Sequence, residues 1–435
     1  MAQRFRTALF ASMIVGCVTV ATAAPSSASP RRMPQVQAHA GGPARLTLPR
    51  PTGPFPVGTV DLHLIDPSRT DPWTATPAHR ELMVSLWYPA TEVRRFPLAP
   101  HMTPGAAAHF GSAAGVGASL YGIPPGSVDF AATRTSGHRG APVARRDRPF
   151  PVLLYSPGAG DPRSWGTTEV QDLASRGYVV VTIDHTYETS EVEFPDGRVV
   201  GTVVPELFEQ AHTPDGFQKL GARIFDTRIA DTRFVLDQLA ALDRGTNPDA
   251  EGRTLPRGVA GALDLRRTGM LGVSAGGLTA LQAMNDDPRI DAAIDLGGSI
   301  ETPIMPDPIA LWPVARHGLD RPFMFMGDPG TDHQQTPSWR MLWDNSSGWH
   351  VDLRLTGAKS EDSYKDTVPL LPQIARQLGL PDSFVTEAIG SIQPGRAVRT
   401  EETLVAAFFD RWLRGRDGHL LDGPSPRLRD VTFVP

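Results

Sequence analysis

Residues 268–284 read T-G-M-L-G-V-S-A-G-G-L-T-A-L-Q-A-M. Met270, Leu271 and Val273 suit a buried strand, and Leu278, Leu281 and Met284 follow at helical spacing until Asp286-Asp287-Pro288 ends the element. Between them stands Gly272-Val273-Ser274-Ala275-Gly276. A serine flanked by glycines where a strand becomes a helix constrains this chain more than any other feature. The turn is so sharp that a Cβ at either glycine would collide with backbone, and it lifts the serine hydroxyl out of the sheet. With 42 glycines in 435 residues the five-letter pattern alone is cheap. The strand before it and the helix after it make Ser274 a candidate nucleophile.

The rest of the chain supplies a matching frame. From Pro149 onward apolar runs alternate with helical patterns: strands at 151–155, 178–183, 290–296, 322–326 and 351–355, and helices at 164–176, 217–242, 338–344, 370–378 and 402–414. Continuous apolar strands separated by helices predict a mostly parallel, doubly wound sheet covered on both faces. Upstream, 59–65 and 82–88 read as an antiparallel opening of that sheet. The stretch 96–148, dense in Gly, Ala, Pro and His, reads as an irregular, lid-like insertion. Residues 51–435 form one domain with no internal repeat.

The N-terminus predicts export. Arg4 and Arg6, an apolar stretch over 8–20 and Ala21-Thr22-Ala23 form a cleavable signal over residues 1–23. Ile14-Val15-Gly16-Cys17 also reads as a lipobox, which would leave a lipoprotein anchored at Cys17, but apolar residues continuing past Cys17 favour cleavage near Ala23 and a secreted protein. Residues 24–50, rich in Pro, Ser, Ala and Arg, read as a disordered leader. Cys17 is the only cysteine, so a chain cut near Ala23 has no disulfide and must rely on its core. No later stretch has the ~18 continuous apolar residues of a membrane span. A net charge of −5 without basic runs argues against nucleic acid, and the absence of H-E-x-x-H or paired cysteines argues against a metal. No cofactor is expected.

Acyl transfer needs a nucleophile, a base, a group that orients the base, and donors for the oxyanion. Ser156-Pro157-Gly158-Ala159-Gly160 directly follows a strand, and the Ala159 amide there would join that of Ala275 as oxyanion donors. Asp295 closes the strand 290–296 and would emerge on the same sheet edge as Ser274, which makes it the first choice as acid, with Asp328 after the next strand as competitor.

These segments resemble a known family. Y-S-P-G-A-G, D-L-A-S-R-G-Y and T-I-D-H-T-Y-E within 151–188, L-M-V-S-L-W-Y-P at 82–89, G-V-S-A-G-G at 272–277 and L-L-P-Q-I-A-R-Q-L-G-L at 370–380 are similar to the exported bacterial relatives of platelet-activating factor acetylhydrolase. The resemblance implies an α/β-hydrolase fold and cleavage of short or oxidised acyl chains from phospholipids and related esters, with transient contact with a lipid surface. It implies Ser274 as nucleophile, Asp295 as acid, Ala159 and Ala275 as oxyanion donors, and His185 as a framework residue of the pocket.

One part of the pattern is missing. The family places its basic histidine after the last core strand, in a G-A-x-H-x-S-[FY] setting, where this chain reads Gly357-Ala358-Lys359-Ser360-Glu361-Asp362-Ser363-Tyr364. Ser360 falls where the histidine should be, with one extra residue before Ser363-Tyr364. His350 starts its strand, on the wrong edge of the sheet. His333, in the loop 327–336, is the substitute base the sequence offers; Lys359, Glu361 and Asp362 are weaker ones. Loss of a triad histidine usually removes on the order of 10⁴–10⁶ in rate. Two readings therefore stand: an esterase whose base has moved, or a protein that binds a lipid or ester on a hydrolase frame.

Overall fold

A computed structural model describes residues 42–76, 79–145, 147–301 and 304–435. The export signal, the lipobox and the leader as far as residue 41 lie outside the described residues. Thirteen strands are described: β1 Val57–Asp66, β2 Arg80–Pro89, β3 Leu98–Pro100, β4 Arg134–Arg139, β5 Phe150–Ser156, β6 Val179–Asp184, β7 Glu191–Glu193, β8 Val199–Gly201, β9 Leu263–Val273, β10 Ala292–Leu296, β11 Phe323–Gly327, β12 His350–Leu355 and β13 Val431–Phe433. Eleven of them make one sheet in the order β13-β12-β11-β10-β9-β5-β6-β2-β1-β4-β3, and β7 and β8 form a separate hairpin. The six strands from β6 to β12 through β5 and β9 run parallel, while β2 adds antiparallel to β6 and β1 antiparallel to β2. This is the α/β-hydrolase architecture, with the antiparallel opening the sequence predicts.

Period-two alternation explains why the central strands read as unbroken apolar runs. In β5, Val152 and Leu154 enter one core and Leu153 and Tyr155 the other. The first core lies under the helices Pro214–Asp243, Ala275–Asp286 and Pro337–Asn345, and the second under Thr167–Ser175 and Pro394–Arg414. With both faces covered, no position in such a strand can be polar without a partner.

Two expectations need correction. The leader does not stay unstructured to residue 50: Ala44 and Leu46 are buried, Gln377 Oε1 accepts from Arg45 N at 3.0 Å, and Gln373 Oε1 accepts from Thr47 N at 3.0 Å. Alternating backbone N–H and C=O groups of an extended strap are satisfied there by two glutamines one helical turn apart. The insertion is also not irregular throughout. It contributes β3 and β4 to the sheet edge, and Phe110, Tyr121 and Phe130 pack round Trp165 and the helix Thr367–Leu378 in a third apolar cluster.

Candidate active site

Ser274 has φ +54° and ψ −123°, outside the region an L-residue prefers, at the junction of β9 with the helix Ala275–Asp286. Close approaches hold it there. A Cβ on Gly272 would stand 2.3 Å from the Gly276 carbonyl carbon, and one on Gly276 would stand 2.0 Å from the Ser156 carbonyl oxygen. The flanking glycines are therefore required by contact, and the strained backbone at Ser274 has the form of a nucleophile turn. Between residues 268 and 284, Ser274 and Ala275 are the two that are not buried. The Ser274 hydroxyl makes no hydrogen bond among the described residues, and neither does the Ala275 amide.

The loop 156–160 lies directly on this turn, since a Cβ on Gly276 would also meet the Pro157 carbonyl oxygen at 2.7 Å. Ala159 is the loop's one residue that reaches solvent, and its amide donates to no group among the described residues. Two free backbone donors thus flank an unpartnered serine hydroxyl, which is the arrangement an oxyanion requires.

Asp295 is fully buried at the end of β10 and tucks against the start of the helix, where a Cβ on Gly277 would strike its Oδ1 at 1.9 Å. Its Oδ1 accepts from Gly298 N at 2.8 Å, whereas Oδ2 is buried without a partner. Burial pushes this carboxyl well above the usual range; the Gly298 amide opposes the shift and Asp352 adds to it. The competitor Asp328 spends both oxygens on its own turn, accepting from Gly330 N at 2.8 Å and Thr331 Oγ1 at 3.2 Å. Asp295 is therefore the carboxylate next to the serine turn.

His333 is not brought to Ser274. Its Nδ1 and its backbone N both bind Asp352 Oδ2 at 2.7 Å, and its ring stacks on Trp343 at 3.9 Å. The long loop that could have folded over the serine is instead pulled onto the sheet, because buried Asp352 needs donors. Ser360 does not face the serine either: its hydroxyl donates to the Ala388 carbonyl at 3.1 Å and accepts from Asp362 N. Lys365, which the sequence did not single out, sits beside the oxyanion loop, bound to Asp161 Oδ2 at 2.8 Å and Asp362 Oδ1 at 2.9 Å. Although burial would lower its pKa, those two carboxylates raise it well above the usual lysine value, so it stays charged.

His185 belongs to a hydrogen-bonded chain of its own. Its Nε2 lies 3.0 Å from Ser156 Oγ and its Nδ1 3.0 Å from Asp231 Oδ2. Burial drives the His185 pKa down against the Asp231 bond, so the ring is neutral. Asp231 is held below the carboxylate range despite its burial, by the charge of Arg80 and by bonds from His185 and Arg80. Arg228 completes the cluster by donating to Pro157 O at 2.8 Å, Gly158 O at 3.3 Å and Ser156 Oγ at 3.2 Å while pairing with Glu188. All of these side chains are sealed from solvent. The cluster fixes the carbonyls of the oxyanion loop so that its amides point the other way. Sequence reasoning missed Asp231 and Arg228, which lie inside a long helix where Asp and Arg usually face water.

Among the described residues, the one set of metal-type ligands close together is Asp417, His419 and Asp422, all exposed and away from this site.

Comparison with known proteins agrees with this geometry. Residues 40–300 match the platelet-activating factor acetylhydrolase, isoform II family. A probable 1-alkyl-2-acetylglycerophosphocholine esterase of Arthroderma benhamiae is 28% identical over 410 residues, covering 90% of this chain and 95% of that protein. A ferulic acid esterase from Streptomyces cinnamoneus has a solved structure that superposes with a TM-score of 0.67 at 32% identity, covering 90% of this chain and 99% of the other. The family match takes in the oxyanion loop, the serine turn and Asp295, so this chain belongs to the platelet-activating factor acetylhydrolase, isoform II family and is a carboxylic ester hydrolase of the α/β-hydrolase fold.

Proposed function

We propose that the protein is an exported serine esterase that cleaves short-acyl carboxylic esters, of lipids or phospholipids, through an acyl-enzyme on Ser274. The observation that carries this reading is the strained, solvent-reaching Ser274 between the unengaged amides of Ala159 and Ala275. In the reaction the hydroxyl oxygen bonds to the ester carbonyl carbon while the carbonyl electrons move onto oxygen. Collapse of that oxyanion expels the alcohol, and water then releases the acid. The names of the similar proteins, one for an acetylated glycerophosphocholine and one for esters of ferulic acid, support hydrolysis of a carboxylic ester, and the first supports a short acyl group on a phospholipid.

A second reading, ligand binding without turnover, is favoured by one observation: Asp295 Oδ2 has no imidazole to orient. Hydrolysis of a short-chain p-nitrophenyl ester, with fluorophosphonate labelling of the intact protein and of Ser274→Ala, separates the two. Label and turnover that both vanish in Ser274→Ala support the esterase; a protein that neither labels nor turns over supports the binder. Export is tested by the N-terminus recovered from culture medium, which starts near Ala24 for a secreted chain. Recovery in the membrane fraction, acylated on Cys17, would replace secretion with the lipoprotein form.

A further inference from the structure

Three consecutive residues connect Ser274 with the segment that follows β12. The Ser274 amide donates to Leu296 O at 3.0 Å. A Cβ on Gly297, which has φ +73°, would lie 3.0 Å from Glu361 Cβ and 3.1 Å from its Cα. A Cβ on Gly298 would lie 2.4 Å from Ser274 O and 2.5 Å from Asp295 Oδ1. Glu361 therefore packs on the same short loop that supports the serine turn and the acid. Across from that loop stand Lys365 and Asp161, and Lys365 Nζ is 3.4 Å from where a Gly158 Cβ would be. Glu361 thus backs onto the loop that carries Asp295 and supports the Ser274 amide, in the segment whose Lys365 reaches the oxyanion loop.

Glu361 is 5% exposed and its Oε1 is buried with no hydrogen-bond partner. The neighbouring cation does not neutralise it, because Lys365 is already shared by Asp161 and Asp362. A buried carboxylate oxygen without a partner carries an uncompensated desolvation cost and calls for an explanation. Ser360, one residue earlier, is turned away to Ala388.

We propose that Glu361 is the general base of this esterase, taking the proton of the Ser274 hydroxyl. The proposal rests on the serine-esterase reading above. As Ser274 Oγ bonds to the acyl carbon, its proton passes to the Glu361 carboxylate. The resulting carboxylic acid returns that proton to the departing alkoxide; in the second half the carboxylate takes a proton from the water that attacks the acyl-enzyme and delivers it to Ser274 Oγ as the acyl carbon–oxygen bond breaks. Proton and electron pairs balance with no further reactant. Burial pushes the Glu361 carboxyl up to about 8, with the Lys365 charge and a bond from its own backbone amide opposing and Asp362 and Asp161 reinforcing. A base of that strength suits an alcohol nucleophile better than an ordinary carboxylate does. The charged groups that face it are Lys365 and Asp362 on its own segment and Asp161 on the oxyanion loop, with Asp295 buried at the end of β10 beside their shared loop.

The test is the pH profile of kcat/KM for a short-chain p-nitrophenyl ester, from pH 5 to 10, on the full chain and on Ser274→Ala, Glu361→Gln and Glu361→His. The full chain should gain rate as pH rises through about 8. Glu361→Gln keeps the shape of the side chain and should lower kcat by about 10²–10⁴-fold with little change in KM, removing that rise. Glu361→His should restore serine-dependent turnover with the rise moved to about pH 6–7, because an imidazole there can give its Nδ1 proton to Asp295 Oδ2. Retention of the rise and of activity within about tenfold in Glu361→Gln overturns the proposal and leaves the esterase intact. Undiminished turnover in Ser274→Ala overturns instead the reading beneath it.

Discussion

The molecule holds two serine–carboxylate clusters, and the one with the full set of hydrogen bonds is the one sealed from solvent. Ser156, His185 and Asp231 are joined at 3.0 Å and 3.0 Å, as in a catalytic triad, yet all three are sealed and Ser156 lies in ordinary strand backbone. Ser274 and Asp295 have no histidine between them, but the serine is strained, reaches solvent and stands against unengaged amides. Access, backbone strain and unengaged amides distinguish the serine proposed to react; a bonded imidazole by itself does not mark one. The sealed cluster serves the open one by clamping the carbonyls of Pro157 and Gly158.

The comparison breaks if the wrong serine carries the chemistry. Ser274→Ala should reduce kcat by about 10⁴–10⁶-fold and abolish fluorophosphonate labelling. Ser156→Ala should keep the label on Ser274 and lose no more than about 10²-fold, through a looser oxyanion loop. Label on Ser156 in the native protein would reverse the assignment.

Stability should separate the clusters next. Asp231→Asn breaks a fully buried pair with Arg80 and should cost about 3–5 kcal/mol in denaturant melts. His333→Ala should cost only about 1–3 kcal/mol, by leaving Asp352 short of a donor, and should leave kcat within a few fold. A collapse of kcat in that variant, with folding intact, would return His333 to the site.

The pH dependence of stability should have opposite signs in the two clusters. Asp231 is held below its ordinary 3.8, so its contribution is present above that pH and lost as pH falls through its folded value. Glu361 is raised from 4.5 to about 8, so its contribution is complete below 4.5 and lost as pH rises through about 8. Glu361→Gln should therefore melt about 2–4 °C higher than the native chain at pH 9 and at the same temperature near pH 4. An equal shift at both values would mean that Glu361 does not titrate in that window. The smallest effect expected is that of Ser360→His, which should leave turnover within about twofold because position 360 addresses Ala388. A large gain there would place the base at 360.

Much of this was open to sequence reading. The alternation of apolar runs and helical spacing located β5, β6, β10, β11 and β12 to within a residue or two, since a strand buried on both faces can be written in few other ways, whereas β9 begins at Leu263, well before the apolar run that leads to Ser274. The elbow, the Ala159 loop and Asp295 were legible because each is tied to the end of a strand. The inner part of the insertion was not, since β3 and β4 are short edge strands whose period is too brief to register.

The sequence by itself determined that Ser274 stands on a strained turn beside the 156–160 loop, because local backbone chemistry decides both, and that no histidine lies between His350 and His419. Only the tertiary structure decided which carboxylates and histidines reach that turn. His333 was drawn to Asp352, His185 to Asp231 and Ser360 to Ala388, while Glu361 was set against Gly297 with an oxygen unpaired. Those choices are made by buried polar groups finding partners far along the chain, and no local pattern records them.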